Sequence, residues 1–236
     1  MPVVRRHVVP LPGLAAPLRV VHLTDLHFGL VTRPDVLRRA VALAAAESPA
    51  VVVLTGDYVG RGRRHLGLVT EVLRGLPGRR VAVLGNHDHF VGGELVAAAL
   101  AAAGVEVLRN AWVDLGPLRL VGLDDRLTGH ADPDAAVAGL PPGPALGLAH
   151  DPHAARLLWA RGVRVVLSGH THGGQVHLPP VTTGLHALVG QRWLAGWHGE
   201  GDGRVYVNAG VGSGAFPWRV GAPAQREVAS LELVAA

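Results

Sequence analysis

Carboxylates, imidazoles and one carboxamide recur in short clusters along the 236-residue chain. They read Asp25-Leu26-His27, Gly56-Asp57, Gly85-Asn86-His87-Asp88, His150 and Gly169-His170-Thr171-His172-Gly173-Gly174-Gln175. This mixture suits zinc, manganese or iron; calcium prefers an all-oxygen shell. Asp25 and His27 are two positions apart, as are His170 and His172. On an extended segment such pairs point to one side and can share an ion. Asp57 follows a glycine that permits a sharp turn, and its two oxygens can bridge two cations. Asn86 is a neutral donor, which leaves metal charge available for an anionic phosphate. His87 can protonate a departing oxygen, with Asp88 next to it to orient it or raise its pKa. Gly173-Gly174 lets backbone come close to the metals or substrate.

Each cluster closes an apolar, mostly β-branched run: 19–23, 51–54, 81–84, 145–148 and 163–167. Such runs are expected to be buried strands, so the polar residues are delivered to one rim of a sheet. Helical spacing is expected over 34–47, with Thr32 as cap and Pro34 in the first turn, and over 65–73, 94–103, 131–138 and 152–161. Segments 105–108, 111–115 and 118–121 read as an antiparallel meander, and 205–208 and 227–234 as closing strands. The stretch from 176 to 200 reads as irregular. Its Leu178, Val181, Leu185, Leu188, Val189, Trp193, Leu194 and Trp197 are expected to cover a sheet edge, an acyl-chain or membrane-facing groove being the alternative. One α/β domain spanning 1–236, with mixed sheets covered by helices, is the expected architecture.

Bulk composition narrows the function. Apolar residues make up 49% and charged residues 17%, which suits a packed core rather than disorder. All 22 basic residues are arginine, many in pairs such as Arg5-Arg6 and Arg63-Arg64. These pairs read as solvated surface, and the net charge of +4 gives only mild attraction for phosphate-bearing substrates. No concentrated basic face or aromatic platform points to nucleic acid. Without cysteine there are no disulfides and no thiolate ligands. No apolar run is long enough to span a bilayer, and Pro10, Pro12 and Pro17 interrupt the stretch after Arg5-Arg6. A cytoplasmic location, at most peripheral to the inner membrane face, is expected. His7, His65, His130, His153, His186 and His198 read as ordinary surface or core residues, and His22 as a core histidine. His89 adjoins the clusters without a spacing argument, and His177 reads as surface, with contact to substrate the alternative. Asp124-Asp125 reads as a turn or helix entry, support behind the ligands being the alternative.

Taken together, D-x-H, G-D, G-N-H-D, H and G-H-x-H resemble the calcineurin-like metallophosphoesterases over residues 25–172. Thr24-Asp25-Leu26-His27, Leu54-Thr55-Gly56-Asp57-Tyr58, Ala149-His150-Asp151-Pro152, Asn208-Ala209-Gly210-Val211-Gly212 and Arg219-Val220-Gly221-Ala222-Pro223 are similar to a bacterial subgroup. That subgroup includes the phosphodiesterase acting on UDP-2,3-diacylglucosamine and related cell-envelope enzymes. The resemblance implies a four-layer α/β/β/α sandwich and two divalent cofactor ions, manganese, zinc or iron. It assigns Asp25, His27, Asp57 and His172 to one ion and Asp57, Asn86, His150 and His170 to the other. Asp57 is then the bridge and His87 the general acid. The implied reaction is hydrolysis by in-line attack, a metal-bridging water being the nucleophile. Phosphodiester hydrolysis is expected, on a small or lipid-linked phosphoester. Soluble cyclic-nucleotide or general phosphoesterase activity is the second reading, and a non-catalytic scaffold the third.

Overall fold

The computed structural model describes residues 1–29, 31–214 and 216–236. In chain order the elements are β1 (Val3–Leu11), β2 (Leu18–Leu23), α1 (Pro34–Ala46), β3 (Val51–Thr55), α2 (Leu66–Leu73), β4 (Arg79–Val83), α3 (Asn86–Val91), α4 (Gly93–Ala102) and β5 (Glu106–Val107). There follow β6 (Ala111–Asp114), β7 (Arg119–Gly122), α5 (Pro133–Ala136), β8 (Ala145–Leu148), α6 (Ala155–Trp159), β9 (Val165–Ser168), α7 (Val181–Leu188), β10 (Gly196–Glu200), β11 (Gly203–Val207) and β12 (Glu227–Ala235).

Two six-stranded sheets form, in the orders β1-β12-β2-β3-β4-β5 and β10-β11-β9-β8-β7-β6. Alternation along the strands explains why their sequences are continuously apolar. Val20, Val51, Val53, Val81 and Val83 face the second sheet, where they meet Leu120, Leu146, Leu148 and Leu167. Their neighbours Val21, Leu23, Val52, Leu54 and Ala82 face the helices, against Leu37, Ala40, Val69 and Leu100. Val121, Val166, Val205 and Val207 bury the outer face of the second sheet with Leu158 and Trp159 of α6. A strand buried on both faces has no polar side to show. The result is the four-layer α/β/β/α sandwich with two mixed sheets. Each fully buried leucine or valine contributes about 1.5–3 kcal/mol to it.

The strands that precede the polar clusters run in register in one direction. β2, β3 and β4 are mutually parallel in the first sheet, as are β8, β9 and β11 in the second. Their C-terminal ends therefore open on common rims, the usual place for a ligand in α/β sheets.

Several elements differ from the sequence reading. β1 lies where no element was expected; it occupies the sheet edge, a position that tolerates Pro10. Thr32 does not cap α1, whose cap position is Arg33; its hydroxyl instead accepts from the Ser213 N–H at 3.0 Å. The expected meander is split: β5 pairs with β4 in the first sheet, while β6 and β7 form an antiparallel pair in the second. The stretch read as irregular contains α7 and β10. Trp193 and Leu194 are buried there, but Leu178, Val181, Leu185, Leu188, Val189 and Trp197 are exposed. The covering role therefore holds for the first pair alone.

Candidate metal centre

Asp25 and His27 follow β2, Asp57 follows β3, Asn86 and His87 open α3 after β4, His150 follows β8, and His170 and His172 follow β9. Their donor atoms converge into two groups, Asp25–His27–His172 and Asp57–His150–His170, each within 4.8 Å. Asn86 joins the second, its Oδ1 3.2 Å from Nε2 of His150. Asp57 links them: its Oδ2 lies 3.4 Å from Nε2 of His27 and 3.4 Å from Nε2 of His150.

The pairing does not arise by strand alternation. Asp25, His27, Asp57, His170 and His172 all have left-handed backbone, with φ of 52°, 45°, 56°, 73° and 54°. The i and i+2 side chains converge because these residues lie beyond the strand ends and curl back over the rim. Such conformations are uncommon outside glycine and concentrate at functional sites.

Backbone hydrogen bonds hold the curls. Asp88 is buried; its Oδ2 accepts from the N–H of Asp57 at 2.8 Å and of Gly85 at 2.9 Å, and its Oδ1 from the N–H of Tyr58 at 2.9 Å. No hydrogen bond joins it to the His87 ring among the described residues, so the expected orienting role is replaced by one on the backbone. His87 instead donates from Nδ1 to the carbonyl of Gly60 at 3.0 Å, because a carbonyl can only accept. Its Nε2 has no hydrogen-bond partner among the described residues. Asp25 Oδ2 accepts from the His170 N–H at 2.9 Å and the Thr24 hydroxyl at 2.8 Å. A Cβ on Gly169 would collide with both Thr24 Oγ1 and Asp25 Oδ2, so glycine is required there. Gly173, by contrast, comes up against the Pro223 carbonyl rather than the ligand cluster, which corrects its expected role.

The donor set fits divalent ions. A tetrahedrally held cation at roughly 2.1 Å spaces its donors about 3.4 Å apart. Besides the Asp57 distances, His172 Nε2 stands 3.5 Å from Asp25 Oδ1, and His170 Nδ1 3.3 Å from His150 Nε2. Asp25 Oδ1 is buried and without a hydrogen-bond partner among the described residues. His150 donates from Nδ1 to the Thr55 carbonyl at 2.7 Å, which turns the lone pair of Nε2 toward Asp57. Burial lowers His27 to about 3 and His170 to about 4, and holds His172 well below its usual value, so all three are neutral donors. Burial also pushes Asp25 up to about 6 and, with the Asp57 charge, Asp88 up to about 7. Asp57 and His150 go the other way: burial opposes both charges, yet their mutual attraction keeps Asp57 low and His150 high. A divalent ion held by these residues would take the place of that proton.

Other residues brace the centre. A guanidinium N–H of Arg219 lies 2.9 Å from Nδ1 of His172, and another donates to the His172 carbonyl at 3.0 Å. Sequence reasoning gave Arg219 only a motif resemblance, since nothing in its spacing predicts the contact. His89 and Asp124 form a 2.7 Å pair, and His130 stacks on His89 at 3.9 Å. His22 is buried and meets the Thr55 hydroxyl at 2.8 Å. His186, read as surface, lines a cleft of about 230 Å³ with His170, His172, Gln175, Gln191 and Phe216.

A double sheet whose shared rim carries two linked Asp/His groups defines a metal-dependent phosphoesterase. The chain belongs to the calcineurin-like phosphoesterase family, whose model it matches over residues 18–174. It is 34% identical over 231 residues to phosphodiesterase YaeI of Escherichia coli, covering 93% of this chain and 83% of that protein. The uncharacterized metallophosphoesterase YkuE of Bacillus subtilis is 29% identical over 212 residues, covering 85% and 74%. Among solved structures, a dimetal phosphatase from Danio rerio superposes with a TM-score of 0.55 at 12% identity, covering 92% of each chain. A 5'-nucleotidase precursor from Thermus thermophilus gives 0.54 at 18%, covering 92% of this chain and 54% of that one. The protein is therefore a hydrolase of phosphoester bonds, and its cofactors are two divalent metal ions. No helix among the described residues is long and apolar enough to cross a membrane.

Proposed function

We propose that the protein is a phosphodiesterase in which Asp57 joins two metal sites into one reaction centre. The observation that carries this reading is the equal 3.4 Å reach of Asp57 Oδ2 to His27 and to His150. Asp25, His27, Asp57 and His172 would hold one ion, and Asp57, Asn86, His150 and His170 the other. When bound, the pair supplies positive charge to the phosphoryl oxygens and lowers the pKa of water.

The chain's own residues complete the reaction. The hydroxyls beside the ligands are engaged: Thr24 donates to Asp25 Oδ2, and Thr171 to the Leu194 carbonyl at 2.6 Å. Neither is placed as a nucleophile, and water attacks phosphorus in line as the ester P–O bond breaks. His87, its Nδ1 fixed on Gly60, presents Nε2 to protonate the departing oxygen. Its ring meets that of His27 edge-on at 4.9 Å, which places it against the first donor group.

For the substrate we propose an ester with an apolar arm, of the lipid-linked kind. Leu185, Leu188 and Val189 on and after α7, with Phe216 and Trp218, are exposed, and Phe216 and His186 both line the cleft beside His170 and His172. The same exposed residues support peripheral membrane contact. Protein reconstituted separately with manganese, zinc and iron is to be assayed on monoesters, diesters, cyclic nucleotides and UDP-diacylglucosamine. Diesters should turn over faster than monoesters, and acyl-bearing diesters fastest. Preference for a monoester contradicts the diesterase reading; equal turnover of short soluble diesters contradicts the apolar arm.

A further inference from the structure

A second cleft, of about 210 Å³, opens beside the metal centre on the side of His27. His27, Gly60, Arg61, Arg64 and Ser213 line it, and no carboxylate does. Gly60 ties the cleft to the chemistry, because its carbonyl holds Nδ1 of His87 and the next residue is Arg61. These arginines differ from most others in the protein. Arg5, Arg6, Arg33, Arg38, Arg79, Arg109, Arg119, Arg126, Arg156, Arg161 and Arg164 each pair with a carboxylate. Arg61 and Arg64 have no carboxylate within 4.0 Å among the described residues. Arg64 is turned by a 3.0 Å contact from its Nε to Nε2 of His65, which leaves its terminal nitrogens for other partners.

Two uncompensated guanidiniums in a concave, carboxylate-free wall favour an anion and disfavour a cationic or plain apolar group. We propose that this cleft is an anion subsite, so that the substrate carries a second negative group, phosphate or carboxylate, on one arm of the ester. The proposal rests on the phosphodiesterase reading. It also contrasts with the cleft at Phe216 and His186, where no arginine or carboxylate is found. The two clefts thus sort the two arms of a diester by charge.

The test is inhibition of bis(p-nitrophenyl) phosphate hydrolysis by ω-carboxyalkyl phosphonates with two to four methylenes. Each is compared with the uncharged-tail alkylphosphonate of equal length. The wild type should bind the carboxylated member of at least one pair roughly tenfold more tightly, and R61A/R64A should remove that preference. The variant R39A/R204A, altered at two exposed positions outside the site, removes the same net charge and should keep it. No preference in the wild type overturns the proposal, as does preference that survives R61A/R64A or disappears equally in R39A/R204A. Failure of the wild type to hydrolyse the reporter counts against the phosphodiesterase reading instead. Calorimetric titration of the same phosphonate pairs then reads the arginine cleft without turnover, with the same outcomes deciding it. Carboxylates and phosphates are distinguished by repeating the series with bisphosphonates.

Discussion

Asp88 Oδ2 accepts the peptide N–H of Asp57 at 2.8 Å, so one buried carboxylate sets the backbone that carries another. Asp88 also holds Gly85 and Tyr58, and thereby locks together the loops after β3 and β4. In Asp88→Asn an amide N–H₂ faces a backbone donor, which costs about 1–3 kcal/mol. We expect a lower Tm together with reduced metal content after reconstitution. Unchanged metal stoichiometry at normal activity would show that the loops hold themselves.

His87 contributes a proton rather than a ligand. His87→Asn should retain both ions by metal analysis, and kcat should fall about 10²–10⁴-fold on esters with poor leaving groups. On p-nitrophenyl esters, whose leaving group needs little protonation, the loss should be much smaller. Equal losses on both classes would argue against the acid role.

Gly169 permits Asp25 and the following histidines to share one rim. A methyl at this position meets Thr24 and Asp25, and so Gly169→Ala should lower the occupancy of the Asp25–His27–His172 site first. Titration with manganese followed by electron paramagnetic resonance would report one weakened site beside one retained site. Two unaltered sites would mean that the loop yields without cost.

Removing the ions should destabilise the fold as well as stop hydrolysis. The donors converge only in the folded state, so stability should rise with free metal concentration. A site at a hundred times its Kd contributes about 2.7 kcal/mol. Calorimetry of chelated and reloaded protein should show a reversible rise in Tm; an unaffected Tm contradicts tight binding in the folded state.

Asp124 provides a pH-dependent element outside the ligand set. Burial alone would raise its pKa, but hydrogen bonds from His89 and Arg109 outweigh burial and hold it low. The depressed value means that its stabilisation is present above the unfolded value of about 3.9 and is lost as pH falls through the folded value. Asp124→Asn should be destabilised by about 1–2 kcal/mol at pH 7. The difference from wild type should shrink toward pH 3 in urea titrations; a difference that grows on acidification would contradict this sign.

Much of this centre is legible because valine-rich strands and the residues immediately after them are local features. Val51–Thr55 followed by Gly56-Asp57 announces both the strand and what it delivers. The left-handed backbone of Asp25 and Asp57 is less visible, since it depends on distant partners: the Asp25 N–H donates to the Gly56 carbonyl at 3.0 Å and the Asp57 N–H to Asp88. Arg219 reaches His172 from 47 positions away, which no spacing rule reveals. Arg63-Arg64 reads as surface because charge alone does not show whether a carboxylate will face it, and nothing in the spacing singles out Arg61. Trp193 and Leu188 are equally apolar in sequence, yet only the first finds a partner, Trp159, to bury it.

Anomalous diffraction from manganese-loaded protein tests the shared role of Asp57 most directly. Wild type should show two peaks with Asp57 between them, and Asp57→Ala should lose at least one of them together with hydrolysis. A single peak in the wild type, or two full peaks in active Asp57→Ala, would contradict the bridged centre.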